Sequence, residues 1–131
     1  MELERRLLIF ASIAGALAVI LGAFGAHGLR GFLAALPDGA DRRRFWETAA
    51  HYHLAHALAI GLSGYLASKS GTAPWAAISG YAFVGGILLF SGSLYAMALT
   101  GARALGAVTP LGGLSFIVGW VAAAVAAYGM K

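Results

Sequence analysis

Histidines carry most of the chemistry open to this chain. Three of its four, His51, His53 and His56, lie close together, and the fourth is His27. On a helix Tyr52 and His56, four apart, share a face, and so do His53 and His56, three apart. Imidazole titrates near neutral pH and ligates haem and metals. A proton or ligand site and a haem site, with His27 facing His56 or His53, are therefore the functional readings. The alternative is a neutral imidazole hydrogen-bonded across helices to Ser91, Ser93 or a free carbonyl, a bond that holds helices together. Hydrolytic chemistry has little support. Ser91-Gly92-Ser93 lacks the leading Gly-x of a nucleophile elbow, and Glu47, at the edge of its segment, is the one carboxylate near the histidines. Gly22, Gly25 and Gly28 follow a helical run rather than a strand, so they are a poor phosphate loop. With no cysteine, neither a disulfide nor a thiolate ligand is possible.

The elements that must position these residues are written in the charge pattern. Only 11% of the 131 residues are charged and 60% are hydrophobic, where a soluble domain carries about 25% charged residues. Lipid must cover what polar groups do not. Asp, Glu, Lys and Arg are absent from 7–29, 48–68, 70–102 and 104–130, and a run of about 20 apolar residues crosses a bilayer as a helix. The expected fold is all-α, a four-helix transmembrane bundle forming one domain over 1–131. Its spans lie near 7–29, 46–66, 75–99 and 108–128, and Gly31 to Leu36 form a short interfacial segment between the first two. Span one exceeds the length of a signal-peptide core. Pro37-Asp38-Gly39, Ser68 to Pro74 and Gly101 to Gly106 mark the turns, with Asp41 as a helix cap and Thr109-Pro110 as a helix start. Trp46, Trp75 and Tyr128 are expected near the interfaces. The net charge of +4, with Arg42-Arg43-Arg44 as an anchor, suits anionic headgroups rather than nucleic acid.

Between helices in lipid, close backbone contact and hydrogen bonds replace the hydrophobic drive. Small residues recur every four positions at Ala14, Ala18, Gly22 and Ala26, and again at Ser115, Gly119, Ala123 and Ala127. Gly86 with Ala82 and Gly92 with Ala96 supply a third stripe. Antiparallel threading sends most of the polar residues towards one leaflet.

Four segments resemble a family of small bacterial inner-membrane proteins, the YgdD and YwdK type, which has a mitochondrial relative. They are Gly22-Ala23-Phe24-Gly25-Ala26-His27; Tyr52 with His56-Ala57-Leu58-Ala59; Leu89-Phe90-Ser91-Gly92-Ser93-Leu94-Tyr95; and Thr109-Pro110-Leu111-Gly112-Gly113 with Phe116 and Gly119-Trp120. His53 stands where that family pattern has Gln. The resemblance implies a four-span membrane protein of the bacterial cytoplasmic membrane and brings no reaction with it. Topology and resemblance together point to His27, Tyr52, His56, Ser91, Ser93, Tyr95 and Thr109 as a shared polar site. The expected role is a non-catalytic accessory, assembly or scaffold component without a cofactor, working as a homo-oligomer or within a larger membrane complex. Binding or transport of a small molecule, lipid or quinone, and haem binding, are the alternatives.

Overall fold

The computed structural model describes residues 2–131, and all regular structure among them is helical. Six α-helices follow in order: α1 Glu2–Ala26, α2 Arg30–Ala34, α3 Gly39–Ala67, α4 Ala73–Gly86, α5 Gly92–Thr100 and α6 Thr109–Tyr128. A π-helical turn, Ile87–Ser91, joins α4 to α5, and a 3₁₀ turn, Arg103–Ala107, leads into α6. Three stretches are long and apolar enough to cross a membrane: Glu2–Ala26, Ala73–Thr100 and Arg103–Tyr128. α3 has the length, 29 residues, but its first turns carry Asp41, Arg42, Arg43, Arg44 and Glu47. Its middle carries the three clustered histidines, which dilute its apolar character.

The helix boundaries have local causes. Gly101, with φ of 72°, adopts the left-handed conformation that ends α5 without a Cβ clash, and Gly71, with φ of 78°, makes the turn that leads into α4. Pro74 and Pro110 sit in the first turns of α4 and α6, where a missing N–H costs nothing. Asp41 departs from its expected role. The capping position belongs to Asp38, neither residue caps by its side chain, and Asp41 lies inside the first turn of α3. Its carboxylate instead accepts from Arg103 at 3.2 Å.

α3 is the hub. α1 runs antiparallel along one side of it, the α4–α5 span runs antiparallel along another, and α6 packs mainly on α4 and the π turn. Leu7, Ile60, Phe83 and Phe116 form the central apolar cluster. α1 lies along α3 and meets α4 only near its own start, through Leu7 and Phe10, so within the expected four-helix bundle α3, α4–α5 and α6 pack tightly and the rest of α1 lies on their flank. α2 folds the short connecting segment back onto the core: Leu29 and Leu33 are buried with Trp46 and Ala98.

Trp46 corrects the expected interface position. It is buried, and its indole N–H donates to the Leu21 carbonyl at 2.8 Å. A Cβ on Gly25 would collide with its ring, so Gly25 and not Ala26 makes the contact at this end of α1, and Ala26 is exposed. Gly22 likewise has open space where a Cβ would stand. Ala18 is buried. Close packing also joins α4 to α6. Phe83 lies in the notch of Gly119 and Phe116 lies in the notch of Gly86, each glycine three residues after the phenylalanine of its own helix. One turn on, Gly112 meets the backbone of Phe90. Ser115 is half-buried and donates to the Ala82 carbonyl at 2.6 Å. Gly92 faces open space, where a Cβ would meet only the Ile87 carbonyl at 3.9 Å.

Candidate functional site

The polar residues gather on α3 and the elements facing it, but they divide into separate groups. His56 is buried where α3 meets α6. Its Nε2 receives the Trp120 indole N–H at 3.1 Å, and its Nδ1 lies 2.8 Å from the Tyr52 carbonyl. An indole nitrogen only donates, so Nε2 is the acceptor. Nδ1 must then carry the proton and donate to the carbonyl. Both ring nitrogens of this neutral imidazole are engaged. The ring stacks on Phe116 at a centroid distance of 3.6 Å and an interplanar angle of 12°. Tyr52 lies parallel to it at 5.9 Å on the outer side and also meets Phe90.

His53 turns to a different side of α3. Its Nδ1 lies 3.0 Å from the Tyr95 hydroxyl of α5, and the Tyr95 ring also packs against Trp46 at 4.6 Å. The π turn adds a residue to one turn of the α4–α5 span and so resets the direction in which α5 side chains point. Ser91 closes that turn and donates to the Ala49 carbonyl of α3 at 2.8 Å. Ser93 and Thr109 share a hydrogen bond of 2.6 Å that ties α5 to the start of α6.

His27 does not join them. The register of α1 on α3 is set by Trp46 with Leu21 and Gly25 at one end and by Gly64 with Leu8 at the other. That register brings His27 level with the arginine run at the start of α3, about two turns short of His53. His27 is exposed there. The expected cluster thus divides into Tyr52–His56, His53–Tyr95, Ser93–Thr109 and Ser91 on the Ala49 carbonyl, and His27 lies outside all of them.

Three polar arrangements were missed in the sequence reading. Arg42 is buried rather than turned to headgroups. Its Nε and Nη2 donate to the Ala98 and Leu99 carbonyls at 2.8 and 2.7 Å, capping the C-terminus of α5. Arg43 and Arg44 stay outside, beside Glu47 and Asp41. Ser63, Ser79 and the Gly119 carbonyl form a chain of 2.8 and 2.9 Å bonds that links α3, α4 and α6. Trp120, quoted in the sequence only as part of a segment, fixes the tautomer of His56. The i, i+4 spacing of Asp38 and Arg42 was the one signal available for Arg42. Nothing in the sequence pairs Ser63 with Ser79.

Residues 21–113 match the family described as Protein of unknown function (DUF423). The chain belongs to this family. It is 43% identical over 120 residues to the UPF0382 membrane protein YwdK of Bacillus subtilis, covering 92% of this chain and 94% of that one. It is 41% identical over 130 residues to the UPF0382 inner membrane protein YgdD of Escherichia coli, covering 98% and 93%. A Staphylococcus epidermidis relative, SERP0230, is 40% identical over 121 residues, covering 91% and 92%. No solved structure matches. The family's members bear the name membrane protein, the apolar helices are long enough to span, and the chain is an integral membrane protein of the bacterial inner-membrane type.

Proposed function

We propose that the chain is a four-span, non-catalytic accessory or assembly component of the bacterial cytoplasmic membrane, working beside other membrane proteins or as an oligomer. One observation carries this reading. Among the described residues no buried side-chain nitrogen or oxygen lacks a hydrogen-bond partner. The buried serines, His53, His56 and Arg42 join one helix to another, and the lipid-facing exterior is broadly apolar, with Leu58, Leu88 and Val19 among its most exposed side chains. Polar side chains consumed in this way suit a stable platform better than a reaction centre.

α3 fits as the fourth span because the deeper two of its histidines do not face lipid, and His51, which is exposed, lies nearer the charged start of the helix. His53 and His56 are buried between neighbours, and an intramembrane polar residue is tolerable when it faces the bundle and is paired. A haem is a poorer fit, because an iron ligated by His56 Nε2 would have to displace the Trp120 N–H.

The absence of cysteine makes the topology simple to test. Single cysteines replacing Ala35 and Ser70, exposed on either side of α3, are expected to react with an impermeant maleimide from opposite faces of sealed vesicles. Labelling from the same face removes the four-span reading. In native mass spectrometry after mild extraction, an oligomer or a reproducible protein partner without haem is the expected result. A lone monomer with no partner, or one carrying haem, overturns the accessory role.

A further inference from the structure

α2 is held hard against the start of α3. Leu29 and Leu33 are buried with Trp46 and Ala98, and a Cβ on Gly39 would strike the Leu33 carbonyl. This corner leaves a cleft of about 670 Å³, to which α2 contributes Arg30 and α3 contributes Arg43, Arg44 and Glu47. Leu33 and Leu36 line it as well, and both polar and apolar surface face into it. Three arginines against one carboxylate leave the cleft with an excess of positive charge. Glu47 is already held by Arg43 at 2.8 Å, and Asp41, 3.9 Å from Arg44, is shared with Arg103. Among the described residues Arg30 pairs with no carboxylate. Arg30 is also the first charged residue after the uncharged run 7–29, and Glu47 is the last before the uncharged run 48–68. The cleft therefore lies where hydrocarbon gives way to headgroups.

We propose that this cleft holds the headgroup of an anionic phospholipid, with the phosphodiester taken by the arginines and the acyl chains in the surrounding bilayer. The chemistry of the cleft selects the head. A guanidinium presents a planar fork of donors that matches phosphate oxygens, and two helices supply such forks to one cleft. A zwitterionic head would bring an ammonium as well. That cation would find no free carboxylate here, because the one in the cleft is engaged with Arg43. Position selects further, since a basic cleft with apolar walls at headgroup depth suits a lipid better than a soluble anion. This inference is independent of the accessory role. A platform without partners keeps the cleft, and the end of α1 sets its depth whether or not α3 crosses the membrane.

The test is native mass spectrometry of the purified chain in a neutral detergent, with equimolar dioleoylphosphatidylglycerol and dioleoylphosphatidylcholine added. The wild type is expected to retain phosphatidylglycerol with about a tenfold preference or more. Arg30→Gln frees no partner in the protein, and it is expected to lower that preference about fivefold with unchanged helicity, the effect of one basic residue at an anionic surface. Adding Arg44→Gln is expected to abolish the preference, while Asp41 keeps Arg103. Lys69→Gln, which removes the same charge beyond the far end of α3, is expected to bind as wild type. Equal retention of the two lipids by the wild type or an unchanged preference in Arg30→Gln would overturn the proposal. So would a loss in Lys69→Gln as large as that in Arg30→Gln, or displacement of phosphatidylglycerol by millimolar inorganic phosphate.

Discussion

Arg42 sends its guanidinium into the end of α5, while Arg43, one residue later, is exposed and pairs with Glu47 along its own helix. The last carbonyls of a helix lack partners and carry the negative end of its dipole, so a buried cation aimed at two of them gains both hydrogen bonds and field. Bonds to a charged donor contribute about 1.5–3 kcal/mol each, and an exposed pair contributes at most about 1 kcal/mol. Arg42→Ala is therefore expected to lower the unfolding free energy in mixed micelles by about 2–3 kcal/mol, and Arg43→Ala by less than about 0.5 kcal/mol. Equal losses for the two would show that the cap is idle. From the sequence the three arginines are equivalent. What separates them is the rotation of α3 by about 100° per residue, which no local pattern reports.

At the scale of the helix, the exchange of Phe83 and Phe116 into each other's glycine notches sets the spacing of α4 and α6. Gly119→Ala would press a methyl into the Phe83 ring. Overpacking of this kind costs about 1–3 kcal/mol. Gly22→Ala, in open space, is expected to be neutral or to stabilise by up to about 1 kcal/mol through helix propensity. Thermal unfolding in detergent distinguishes them, and similar behaviour of the two variants would contradict the notch. The sequence reading named both glycines for the same reason, their four-residue spacing from other small residues. It could not tell them apart because that spacing shows which face is smooth and not what lies against it. Turns were easier to read: Pro37 to Gly39, Gly71 with Pro74, and Thr109-Pro110 punctuate the chain where the helices do break. The π turn was not legible, since Ile87–Ser91 reads as ordinary apolar helix. For that reason Tyr95 could be named as polar but not assigned to His53. His27 was misplaced for want of the register that Trp46 imposes.

At the scale of the molecule, α1 rests on α3 and α3 touches every other major helix, which has a consequence for how the protein reaches its membrane. α1 leaves the ribosome before α3 and is apolar enough to enter lipid by itself. α3 arrives with three histidines and a charged leading edge and, on the four-span reading, needs a companion already in place. In a translocon insertion assay of the full chain, replacing α1 with a polar tether is expected to leave α3 largely uninserted. Exchanging His51, His53 and His56 for leucine is expected to restore its entry. Unaided insertion of native α3 would refute this. The helix that contributes least to the core would then act during synthesis as a foothold for the one that contributes most.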